Sequence, residues 1–102
     1  MLCFAIACTV HAFDVTLAWD ANTEPDLAGY KIYWGTASGS YDNSVDVGNV
    51  TQYELKGLAD KTLFYFAATA YDTDGNESDY SREIYYGTNV SDVLNLGKVP
   101  QE

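Results

Sequence analysis

A chain of 102 residues with 47% hydrophobic and 15% aromatic side chains holds material for one small domain with one core. Fifteen acidic against five basic side chains leave a formal charge of -10, which repels nucleic-acid backbones and anionic lipid, so neither is expected as a partner.

The first twelve residues, MLCFAIACTVHA, are apolar and uncharged, and Val10-His11-Ala12 ends on the small residue that a signal peptidase site favours. Residues 1–12 therefore read as an export leader. They are too few to cross a membrane as a helix, and they lack the basic start of a full signal. The competing reading makes them an N-terminal strand of the domain. Ala5-Ile6-Ala7-Cys8 also resembles a bacterial lipobox that would put a lipid on Cys8, with alanine where that motif wants leucine. Cys3, Cys8 and the one histidine, His11, all fall in this segment. From Phe13 onward the chain offers no disulfide, thiolate nucleophile or Cys/His zinc site, and no cofactor is expected.

From Val15 the pattern alternates, with Val15, Leu17 and Trp19 on one face and Thr16 and Ala18 on the other, as in a half-buried strand. Pro25, Gly29 and their Asn and Asp neighbours then mark a loop. A second strand follows in YKIYWG, with Tyr30, Ile32 and Trp34 opposite Lys31 and Tyr33. TASGSYDNS reads as loop, VDVGNV as a short irregular edge strand, and TQYELKGL as a strand in which Tyr53 and Leu55 alternate before Gly57 and Leu58 close it. TLFYFAATAY is the longest β run, and SREIYYG follows an acidic loop. No amphipathic helix of useful length is present. Short strands with turn signals between them point to an all-β, antiparallel two-sheet sandwich. Residues 88–102 show no sustained period and read as a linker or frayed tail.

The ordered motifs VTLAWD, GYKIYW, YELKGLADKTLFYFAATAYD and NESDYS together resemble a fibronectin type III domain of the kind common in secreted bacterial proteins, over residues 13–87. The resemblance implies an immunoglobulin-like sandwich of about seven strands. It puts Trp19 and Tyr30 in the core of strands B and C and Leu58 ahead of strand F. Phe64, Phe66, Ala68 and Ala70 then point inward along F. With Ile32 and Leu55 these residues form the expected core. Two positions depart from the family. The strand E–F corner usually carries a tyrosine where this chain has Phe64, which forgoes a hydrogen bond worth about 1 kcal/mol. Strand A has no residues of its own if the leader is removed, which leaves a sheet edge unpaired. The leader, the tail segment VSDVLNLGKV or another chain would then have to supply it, and the free edge gives a route to self-association.

The acidic stretch AYDTDGNESDYS brings Asp72, Asp74, Glu77 and Asp79 around Gly75. An EF-hand loop with Gly75 at position 6 would need oxygen ligands at positions 1 and 12, where this chain has Ala70 and Ser81. Asp74-Gly75 is instead a preferred hairpin turn, between strands F and G. Weak cation binding by the four carboxylates is the secondary reading. Catalysis has little to work with: there is no serine beside a recognisable base, and the carboxylates occupy loops or polar strand positions. If strands C, F and G share a sheet, Tyr33, Tyr65 and Tyr85 face outward on neighbouring strands, able to stack on a sugar or anchor a protein. Plain cross-strand pairing, worth about 0.2–1 kcal/mol per pair, is the alternative. The expectation is a non-catalytic module, secreted or held at a bacterial cell surface, that serves protein interaction, adhesion or spacing. Its rivals are a strand-complemented subunit of a surface assembly and an accessory carbohydrate-binding module, so the expected partner is a protein or a polysaccharide.

Overall fold

A computed structural model describes residues 12–87 and 93–102. The expected leader therefore lies outside the described residues except for Ala12, which is the first residue of the first strand. That strand, β1 (Ala12–Ala18), turns Phe13, Val15 and Leu17 inward, with Trp19 buried just past its end. It is followed by β2 (Leu27–Gly35), β3 (Asn43–Gly48), β4 (Gln52–Ala59), β5 (Phe64–Asp72), β6 (Ile84–Tyr86) and β7 (Val93–Asn95). The strands form two sheets, in the orders β4-β1-β7 and β3-β2-β5-β6, and the core lies between them as in a β-sandwich.

The expected core residues Trp19, Tyr30, Ile32, Leu55, Leu58, Phe64, Phe66, Ala68 and Ala70 are all buried. Alternation alone would send Leu55 and Leu58 to opposite faces, since they are three apart. An extra residue on β4 resolves this. Phe13 pairs with Leu58 and Val15 with Leu55, so Lys56 and Gly57 together face Asp14, and Gly57 takes φ +72°. Such a bulge wants glycine because other residues pay a steric penalty at positive φ. The Asp14 carboxylate accepts the Gly57 amide hydrogen at 3.0 Å and pins the kink. Phe64, standing where a corner tyrosine was missed, packs its ring 6.1 Å from Phe13 and 6.3 Å from Phe66.

The tail departs most from expectation. Residues 93–102 are not a frayed end: β7 lies beside β1, with Thr16 opposite Val93 and Ala18 opposite Asn95, and Leu96 and Val99 enter the core. The pairing is parallel, so the sandwich is not wholly antiparallel. The Leu96 amide donates to Ala18 O at 2.7 Å, and Gly97 O accepts from the Asp20 amide at 2.9 Å. Among the described residues, this C-terminal segment fills the edge of β1 where strand A was expected.

Candidate functional site: a tyrosine and carboxylate face

Strands β2, β5 and β6 do share a sheet, and its outer face carries the three tyrosines singled out from the sequence. They do not make one row. Tyr65 sits opposite Tyr85, with ring centroids 6.0 Å apart, but across β2 its partner is Gly35, while Tyr33 is opposite Ala67. Tyr33 joins two tyrosines that alternation could not have found, because both lie in loops. Tyr80 stands 5.1 Å from Tyr33 and 5.1 Å from Tyr41, edge-on to each, and Tyr33 and Tyr41 are 6.4 Å apart. Edge-to-face geometry of this kind is favoured by the ring quadrupole.

Each loop residue is held by a local device. Before Tyr41, Gly35 allows the β2–β3 loop to fold tightly against the strand, since a Cβ there would lie 2.5 Å from Ser40 O and 3.1 Å from the Tyr41 Cα. Around Tyr80, two serines continue the hydrogen bonding of β5. Ser78 donates its amide to Ala70 O at 2.8 Å while its hydroxyl oxygen accepts the Ala70 amide at 2.9 Å, and Ser81 does the same with Ala68 at the same distances. Buried strand amides are thus satisfied without a regular ladder. Tyr80, between the two anchors, stays 49% exposed and presents its ring to solvent.

Two carboxylates complete the site. Glu77 accepts from the Tyr33 hydroxyl and from Thr69 Oγ1 at 2.7 Å, and its other oxygen lies 3.6 Å from Lys31 Nζ. Glu83 accepts from Tyr41 at 2.5 Å, from the Gly39 amide at 2.8 Å and from Ser38. Burial, and then the hydrogen bond to Glu77, pushes the Tyr33 hydroxyl up to about 12, and burial with Glu83 raises Tyr41 as well. Glu83 is held below the usual carboxylate range by its bonds from Ser38 and Tyr41. Glu77 is also lowered: burial opposes ionisation, but Thr69, Tyr33 and Lys31 outweigh it. Both groups are anions at neutral pH and both phenols are neutral. Tyr33, Thr69, Glu77, Ser78, Asp79 and Tyr80 line an open hollow of about 490 Å³.

The four carboxylates considered for a cation do not converge. Asp72 is buried, contrary to the expectation that every acid would sit at a polar position, and it builds the turn instead. Its Oδ1 accepts the amides of Asp74 at 3.0 Å and Asn76 at 2.8 Å, and its Oδ2 accepts Asn76 Nδ2 at 3.1 Å. These bonds, the Asn76 amide first, hold it below its ordinary value. Glu77 is committed to the tyrosine face, and Asp74 and Asp79 are exposed. Among the described residues the carboxylates that do meet are Asp26, Asp72 and Glu102, with oxygens within 4.8 Å of one another.

Beside that trio, Glu102 forms a hydrogen bond with Glu24. Among the described residues, Glu24 Oε1 and Glu102 Oε2 are both buried with no other hydrogen-bond partner. Burial first, then the bond to Glu24 and the charges of Glu24 and Asp26, raises Glu102 from 4.5 to about 7. Glu24 stays below its usual value, because its bonds with Glu102, its own backbone and Asn22 together outweigh burial. The native state thus binds the Glu102 proton more tightly than the unfolded chain does. Its contribution to stability is full below about pH 4.5 and is lost as pH rises through about 7. The expected result is a melting temperature that falls between pH 5 and pH 8, with a smaller fall for Glu102→Gln. An identical fall in that variant would assign the effect to other groups.

No family model matches the chain, and no solved structure matches it. It is similar to a Kelch domain-containing protein of Saccharolobus solfataricus, 40% identical over 68 residues that make up 66% of this chain. The match covers 9% of that protein, so the chain spans a small fraction of the relative's length.

Proposed function

We propose that the chain is an exported, non-catalytic fibronectin type III module that binds a partner through the outer face of its four-stranded sheet. The observation that carries this reading is the cluster of Tyr33, Tyr41 and Tyr80, clamped by Glu77 and Glu83 and opening on a solvent-facing hollow. A half-exposed tyrosine held by its neighbours, with a polar rim, suits recognition, because it offers contact area at little cost in side-chain entropy. The module reading also draws on two facing sheets that enclose their own core. A Kelch repeat, by contrast, is one four-stranded blade that needs neighbours.

A catalytic role finds little support. The carboxyl raised towards neutrality, Glu102, is hydrogen-bonded to Glu24, whereas glycoside hydrolysis needs its two carboxyl groups about 5 Å or more apart. Strand donation between chains loses its motive, since β1 already has β7 along its second edge.

The test is to screen labelled protein against arrays of oligosaccharides and of peptides, beside a variant carrying Tyr33→Ser, Tyr41→Ser and Tyr80→Ser. At least one ligand class should bind the parent and lose most of its signal with the variant. Ligands that bind both proteins equally would move the contact surface elsewhere.

A further inference from the structure

On that reading of the face, we infer that its occupant is a basic polypeptide segment, which places a lysine or arginine side chain over Tyr80 and Tyr41 beside Glu83. The face already contains the same arrangement in a filled form. The Tyr71 hydroxyl donates to Asp46 at 2.7 Å, and Lys31 Nζ stands 5.7 Å from the centre of the Tyr71 ring while also reaching Glu77. A tyrosine bonded to a carboxylate therefore carries an ammonium group against its ring, within the range where the ring quadrupole attracts a cation.

Across the face, Tyr41 repeats the tyrosine–carboxylate pair with Glu83, and Tyr80 adds a half-exposed ring. Among the described residues the hydrogen-bond partners of Glu83 are all neutral: Ser38, Gly39 and Tyr41. They hold the anion in place without cancelling its charge. Arg82, next in sequence, points away, with Nη2 on Asn95 O at 2.9 Å. Asp79 lies exposed on the rim of the hollow. A chain of net charge -10 also draws a cationic partner from a distance. A neutral sugar would use the rings but would leave this charge uncompensated, so the carboxylates favour the cation.

The experiment is calorimetric titration of the full chain at low salt with hexa-arginine, with hexaglutamine and with a neutral glucan hexasaccharide. Four proteins are compared: the parent, Tyr80→Leu, Glu83→Gln and Glu54→Gln, with the melting temperature of each recorded. Glu54 lies on the opposite sheet beside Lys56, so its variant removes the same charge away from the face. Hexa-arginine should bind the parent, and its affinity should drop about tenfold in both Tyr80→Leu and Glu83→Gln and less than about twofold in Glu54→Gln. Equal losses in Glu83→Gln and Glu54→Gln would mean unspecific attraction and overturn the proposal. Binding of the hexasaccharide but not of hexa-arginine, lost in Tyr80→Leu, would keep the face and overturn the cation. If no probe depends on Tyr80, both the cation and the face fall.

Discussion

Leu96→Ala should destabilise the domain by about 2–5 kcal/mol, the range for emptying a fully packed leucine site. The sequence offers this segment only as one of three ways to supply the missing edge strand, and no period marks Leu96 as core. Leu96 follows the last residue of a three-residue strand, yet it is wholly buried and belongs to the same cluster as Leu17, Tyr30 and Phe66. The loss includes more than transfer of one side chain from water, because Leu96 also anchors the segment that pairs with β1. Its amide on Ala18, Gly97 O on the Asp20 amide and the Arg82 guanidinium on Asn95 O together fix a strand whose Val93 is exposed. Domains of this size have about 5–15 kcal/mol in all, so such a loss consumes a large part of the margin. Urea unfolding followed by fluorescence reads it directly. A change below about 0.5 kcal/mol would mean that the tail rests on the core without supporting it.

The contrast between Leu96 and Leu17 shows where sequence reasoning succeeds and where it stops. Leu17 is flanked by Val15 and Trp19 in strict alternation, so its face follows from the pleat alone. Leu96 and Val99 are three apart with Gly97 at φ +71° between them, a spacing that the alternation of a strand does not give. Leu55 and Leu58 show the same difficulty inside a strand, where only a bulge at Gly57 brings both inward. On the outer face of the four-stranded sheet, alternation correctly turned Tyr33, Tyr65 and Tyr85 outward, but it carries no information about register. Register placed Tyr33 opposite Ala67 and so separated it from the other two. Tyr41 and Tyr80 reach it from loops, through a close approach at Gly35 and two serine anchors, and no periodic signal marks loop residues. The glycine ahead of TASGSY and the serines on either side of DY can be read in the sequence. What they positioned was a tertiary fact.

Trp19→Ala should cost about 3–5 kcal/mol, as for other large aromatic residues removed from a core. Trp19 is 4% exposed, and its ring centre lies 5.5 Å from that of Tyr30, which is itself fully buried. Tyr30 is fixed from its far end, where its hydroxyl accepts the Asn22 amide at 2.8 Å, so it has little freedom to move into the space an alanine would leave. The cavity should therefore persist rather than collapse, which places the cost high in the range. One opposing contribution distinguishes the smaller variant Trp19→Phe. Among the described residues the buried Trp19 indole Nε1 has no hydrogen-bond partner, a penalty of about 1–3 kcal/mol that phenylalanine would not carry. Trp19→Phe should thus cost much less than its lost ring area suggests, and the gap between the two variants measures cavity against orphaned donor. Trp34, half-buried, remains to report unfolding by fluorescence in both. Equal destabilisation by Phe and Ala would show that the indole nitrogen finds a partner in solution and that packing alone sets the cost.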